Sequence, residues 1–126
     1  MKKNERNYQI YLEDILLSMK RIIEYIGDRD FEEFKENNMV VDAVVRNFEI
    51  IGEATNNLPD EVKDRHPDMP WRKMYGLRNV VSHEYFGIDY EMIWEIAKKN
   101  LPDNIKEIKR ILDEEKNTGG NRLYTK

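Results

Sequence analysis

Tyr8, Leu12, Ile15, Met19, Ile22 and Ile26 follow one another at steps of 4, 3, 4, 3 and 4. That spacing places six large side chains on one face of a single long α-helix, and Leu16 and Ile23 widen the stripe. A helix with such a face cannot hide it alone. It requires other elements to pack against, and with no strand pattern elsewhere in the chain those elements are helices.

The rest of the chain supplies those partners. Gly27-Asp28-Arg29-Asp30 stops the first helix, and Asp30 is placed to cap a short one over Phe31-Glu32-Glu33-Phe34-Lys35. Asn37-Asn38 breaks the pattern again. A second long helix is predicted from about Met39 to Asn57, with Val41, Val44, Phe48, Ile51, Ala54 and Leu58 as its apolar seam. Pro59 opens a short helical turn that ends near His66-Pro67. His66 precedes a proline, which disfavours helical geometry, and so reads as a loop residue.

Asp68 and Pro70 open a central helix, read as one continuous α-helix through Tyr85 and broken at Phe86-Gly87-Ile88. Asp89 caps the next helix, with Ile88 and Ile93 at the two positions of a hydrophobic staple. Its seam runs through Ile93, Ile96 and Ala97. Leu101-Pro102 then kinks or divides it before Ile105, Ile108 and Leu112 resume the period. No strand alternation and no internal repeat emerge. The expectation is an all-α bundle of four or five main helices, a domain over residues 1–116 and a disordered tail over 117–126.

A chain of 126 residues suffices for one such domain. No apolar run approaches the roughly 20 residues of a membrane span. Met1-Lys2-Lys3-Asn4-Glu5-Arg6 leads into an amphipathic pattern and not into the apolar core of a signal peptide. Cysteine is absent, which excludes disulfides and thiolate metal sites and fits a cytoplasmic protein. The formal net charge is -4, so the chain as a whole is no generic nucleic-acid binder. Charge is uneven, however: residues 71–110 carry eight basic and six acidic side chains, leaving -6 for the remainder.

Chemistry concentrates in Arg78-Asn79-Val80-Val81-Ser82-His83-Glu84-Tyr85. Arg78 offers a permanent, planar donor fork that suits phosphate oxygens. His83 is the side chain type best placed to move protons near neutral pH. On a continuous α-helix the two lie about 140° apart around the axis and roughly 7.5 Å apart along it. They converge on one phosphate if the helix frays before His83, or if two copies of it meet at a dimer axis; an unbroken period through Tyr85 favours the second. Asn79, four residues before His83, is placed to orient the imidazole. On the second long helix Asp42, Arg46, Glu49 and Glu53 form a polar stripe. It reads first as a self-paired solvated face, and alternatively as bringing Arg46 or Glu53 to the same groove.

The run R-x4-H-x-Y resembles the signature of the HEPN ribonucleases, and within them the HepT-like toxins. Ala43-Val44-Val45-Arg46-Asn47-Phe48-Glu49-Ile50-Ile51-Gly52-Glu53-Ala54 is similar to that family's second-helix pattern. So are Pro70-Trp71, Gly76-Leu77-Arg78-Asn79 and His83-Glu84-Tyr85-Phe86, and the likeness spans the chain to about residue 115. The resemblance implies a HEPN-like helical homodimer acting as a metal-independent endoribonuclease without cofactor. It implies the toxin half of a toxin–antitoxin pair, with RNA as substrate. Arg78 and His83 would be the catalytic pair and Asn79 a supporting residue. Tyr85 would be adenylylated by a minimal nucleotidyltransferase antitoxin.

Two rival readings exist. A metal-dependent nuclease is disfavoured, because the two histidines are seventeen residues apart and no metal-ligand spacing stands out. A non-catalytic nucleotide-binding or helper subunit of a nucleotidyltransferase complex would use the same Arg78 and His83 to hold a phosphate without cleaving it.

Overall fold

A computed structural model describes the chain over residues 2–79 and 89–124, with side chains over 8–79 and 89–117. The first stripe becomes α1 (Lys2–Ile26), and Leu12, Ile15, Met19 and Ile22 are fully buried. Gly27 takes a positive φ of 55°, the left-handed geometry that stops a helix at little cost for glycine. Asp30 then caps α2 (Phe31–Glu36) in a reciprocal box with Glu33, each side chain accepting from the other's backbone N–H.

Asn37 ends α2 and, through its side chain, caps α3 (Asn38–Asn57) at the N–H of Val40. The seam Val41, Val44, Phe48, Ile51 and Ala54 is buried. α1 packs along α3 and also against the C-terminal helix, while α3 receives the helix that opens at Trp71 and the turn that follows it. Pro59 precedes α4 (Asp60–Arg65), and His66 caps its end outside the helix, as the proline after it requires. The fold is all-α, with no strand among the described residues.

Two helices differ from their sequence patterns. The central helix is not α-helical throughout its described part, and its expected continuation over residues 80–85 lies outside the described residues. α5 (Trp71–Gly76) gives way to a 3-10 turn over Leu77–Asn79, and the N–H of Leu77 bonds the carbonyl of Met74 three residues back. Gly76 is a poor helix former at the point of change, and close packing against α3 draws the chain in. The offset of about 140° between Arg78 and His83 presumes α-geometry throughout; Arg78 and Asn79 lie in the 3-10 turn, and residues 80–83 lie outside the described residues.

The second difference surrounds Pro102. α6 (Tyr90–Glu95) begins at an Asp89 cap on Met92, runs through a π turn over Ile96–Asn100 and continues as α7 (Leu101–Tyr124). Proline in a regular α-helix lacks a donor and crowds the carbonyl four residues earlier. The wider turn takes up that conflict, and the helix is not divided. α7 passes Asn117 and runs to Tyr124, through the segment read as a disordered tail. No described helix is long and apolar enough to cross a membrane.

Candidate functional site

Gly52 sits in the middle of α3, where glycine costs about 1 kcal/mol relative to alanine. Its reason is steric. A Cβ at this position would lie 2.4 Å from the backbone nitrogen of Arg78, 2.7 Å from its Cβ and 2.9 Å from its Cα. The 3-10 turn therefore rests directly on the α3 backbone. Gly76 has no such neighbour; a Cβ there would meet nothing within 4 Å.

This contact fixes where Arg78 starts, and two side chains determine where it goes. Glu53, the residue after Gly52, places Oε2 3.5 Å from Arg78 Nε. Tyr75 accepts a hydrogen bond from Arg78 Nη1 at 3.0 Å, and the guanidinium carbon lies 5.1 Å from the centre of its ring. In a 3-10 turn residues three apart eclipse one another, which brings Arg78 over Tyr75. Arg78 remains one-third exposed, so its charge is accessible to an anion from solvent.

The other expected residues are distributed differently. Glu53 reaches Arg78; Arg46 does not, and pairs instead with Glu49 at 3.8 Å on the solvated face of α3. Such an exposed i, i+3 pair contributes about 0.3–0.5 kcal/mol. Asn79 ends the turn and is exposed. His83 and Tyr85 lie outside the described residues, as does Ile88 of the expected staple. Among the described residues no three His, Asp or Glu side chains gather as a metal site would require.

The second histidine has a structural task. His66 is buried, and its Nε2 donates to Glu115 Oε2 at 2.7 Å. Arg65 reaches the same carboxylate with two nitrogens, at 3.0 and 2.7 Å, and the Tyr8 hydroxyl donates to Oε1 at 2.6 Å. Burial alone would raise the Glu115 pKa. The hydrogen bonds from Arg65, Tyr8 and His66 outweigh it and hold the carboxyl down to about 2. The same contact with Glu115 raises the Arg65 pKa.

This cluster ties α1, the end of α4 and α7 together. It also supports the start of α5, because Trp71 Nε1 donates to the carbonyl of His66 at 2.9 Å. The sequence reading missed Glu115, although a signal existed. Glu115 occupies the next seam position after Ile108 and Leu112, where a carboxylate demands buried partners. Tyr75 carried no such signal, since an exposed helix tyrosine is common.

An all-α bundle whose second long helix admits an arginine-bearing turn against a glycine is thus the frame of the site. The profile of the family described as Ribonuclease HepT-like matches residues 15–111. "Putative RNase MJ0127" of Methanocaldococcus jannaschii is 42% identical over 108 residues, covering 86% of this chain and 89% of that protein. "Putative RNase TTE0752" of Caldanaerobacter subterraneus subsp. tengcongensis is 42% identical over 106 residues, covering 84% and 95%. "Probable ribonuclease HepT" of Thermococcus cleftensis is 39% identical over 98 residues, covering 78% and 89%. No solved structure matches the chain significantly. The chain belongs to the HepT-like ribonuclease family.

Proposed function

We propose that this protein is a metal-independent endoribonuclease in which Arg78 and His83 are the catalytic pair. The observation that carries the reading is the presentation of Arg78. Its backbone is seated on Gly52, its guanidinium is flanked by Glu53 and Tyr75, and its charge is still open to solvent. Family membership and the names of the relatives support RNA as the substrate.

In this mechanism the ribose 2′-oxygen attacks the adjacent phosphorus and the bond from phosphorus to the 5′-oxygen breaks. His83 takes the proton from the 2′-hydroxyl, or delivers one to the departing 5′-oxygen. Arg78 stabilises charge on the in-line phosphorane. The products are a 2′,3′-cyclic phosphate and a 5′-hydroxyl.

As a biological role we propose the toxin of a toxin–antitoxin pair, silenced when a minimal nucleotidyltransferase adenylylates Tyr85. A homodimer sharing the site belongs to the same proposal and rests on the family resemblance. The stretch from residue 80 through His83, on which the helical offset between Arg78 and His83 depends, lies outside the described residues.

The deciding experiment incubates RNA with wild type, Arg78→Ala and His83→Ala, each with and without EDTA. Wild type is expected to cleave equally in both conditions, and each variant to lose about 100-fold or more. Cleavage that persists in both variants, or that stops with EDTA, overturns the reading. RNA bound but never cleaved would favour the nucleotide-binding helper role. Sedimentation showing a fully active monomer would remove the shared site.

A further inference from the structure

The Arg78 side chain has several rotatable bonds, and an exposed arginine loses conformational entropy each time it orders around a ligand. A group that holds it in place beforehand reduces that loss. Glu53 is an imperfect choice, because its negative charge competes with the phosphate Arg78 would receive. Tyr75 is neutral. It engages the guanidinium at the ring face and with one hydrogen bond to Nη1, and that leaves the edge formed by Nε and Nη2 to Glu53 or to an incoming anion. That edge is the two-pronged donor pair that matches two phosphate oxygens.

The placement is specific to the local fold. Tyr75 lies in the last turn of α5 and is 41% exposed, so it is not held there by core packing. The change from α-helix to 3-10 turn after Gly76 brings residue 78 over residue 75, and the turn is seated by Gly52.

We propose that Tyr75 is a positioning residue for Arg78. Its ring and hydroxyl hold the guanidinium plane so that the Nε–Nη2 edge meets the scissile phosphate without prior reordering. The substrate named here rests on the ribonuclease reading; the positioning itself does not.

The test uses the full chain in three forms: wild type, Tyr75→Phe and Tyr75→Leu. The Arg78 Nε–Hε resonance, assigned by its loss in Arg78→Lys, reports the ring directly. It should carry a ring-current shift in wild type and Tyr75→Phe that disappears in Tyr75→Leu. RNA cleavage should fall about two- to five-fold in kcat/KM in Tyr75→Leu, the loss expected for an exposed cation–ring contact, and be partly restored in Tyr75→Phe. An Arg78 resonance that is the same in wild type and Tyr75→Leu overturns the proposal, as does unchanged cleavage in Tyr75→Leu.

If wild type cleaves no RNA, the ribonuclease reading fails, and titration with inorganic phosphate judges the positioning alone. A weaker phosphate response of the Arg78 resonance in Tyr75→Leu than in wild type supports it. An equal response overturns it. Because Tyr75 is exposed, thermal unfolding of all three forms is expected to agree closely.

Discussion

Gly52 and Arg78 meet backbone to backbone: the position of a Gly52 Cβ falls 2.4 Å from the amide nitrogen of Arg78. No side chain fits between α3 and the turn, so one hydrogen atom on α3 determines how deeply the arginine-bearing segment sits.

Gly52→Ala must therefore push the turn away from α3. The expected cost is about 1–3 kcal/mol of stability, the usual range for overpacking, together with a marked fall in RNA cleavage. Gly76→Ala has free space and a better helix former, so it should leave stability unchanged or raise it by a few tenths of a kcal/mol. Denaturant unfolding of the two variants checks both signs. Equal effects at the two positions would contradict the packing argument.

Glu53→Gln removes the charge beside Arg78 and keeps the shape. Its side chain is more than half exposed, so stability should change by less than about 0.5 kcal/mol. Binding of inorganic phosphate should tighten by about two- to five-fold, because the carboxylate no longer competes for the guanidinium. Weaker phosphate binding in this variant would mean that Glu53 orients Arg78 more than it competes.

Glu115 makes a pH-dependent contribution with a definite sign. Its folded pKa is depressed to about 2 from an ordinary value of 4.5, so the stabilisation is complete above the ordinary value. It is lost as pH falls through the folded one. Tyr8, Arg65 and His66 face the carboxylate, and Glu114 Oε1 lies 3.8 Å from Nδ1, the other ring nitrogen of His66. Glu115→Ala should cost about 1.5–3 kcal/mol at neutral pH by removing the charged acceptor of Tyr8, Arg65 and His66, with Arg65 partly resolvated. The stability gap between wild type and Glu115→Gln, followed by chemical unfolding, should narrow between about pH 4.5 and 2. A gap that stays constant over that window would show that Glu115 does not act through its charge.

Tyr85 is expected to acquire an adenylyl group when the chain is co-expressed with a nucleotidyltransferase encoded beside it. Intact mass should rise by one nucleotide, mapping to Tyr85 and absent in Tyr85→Phe, and RNA cleavage should be lost with the modification. The tethered phosphate would compete for Arg78 at high effective concentration. Suppression of cleavage that is equally strong in Tyr85→Phe, with no adduct, would mean control by binding alone.

Much of the fold was legible in local sequence. The steps of α1 and α3, the Asp30 and Asp89 caps, the break at Asn37-Asn38 and the loop at His66 each depend on residues within a few positions of one another. Local chemistry decides such features, because a cap or an apolar stripe needs no distant partner to be recognised. Arg78 was likewise visible as a candidate from residue type, whereas Glu53 was read, with Arg46, only as the alternative to a self-paired solvated stripe.

What tertiary structure decided lies between elements. The period around Arg78 suits an α-helix, yet contact with Gly52, 26 residues earlier, accompanies a tighter turn that turns Arg78 toward Tyr75 and Glu53. Arg46 and Glu53 stand on the same polar stripe, and only packing distinguishes the one that reaches Arg78 from the one that pairs with Glu49. Glu115 and Tyr8 are separated by 107 positions, and neither alone reveals a buried carboxylate held by four donor contacts. Period and capping are properties of a segment; close approach and charge burial are properties of the space between segments, which only the assembled bundle defines.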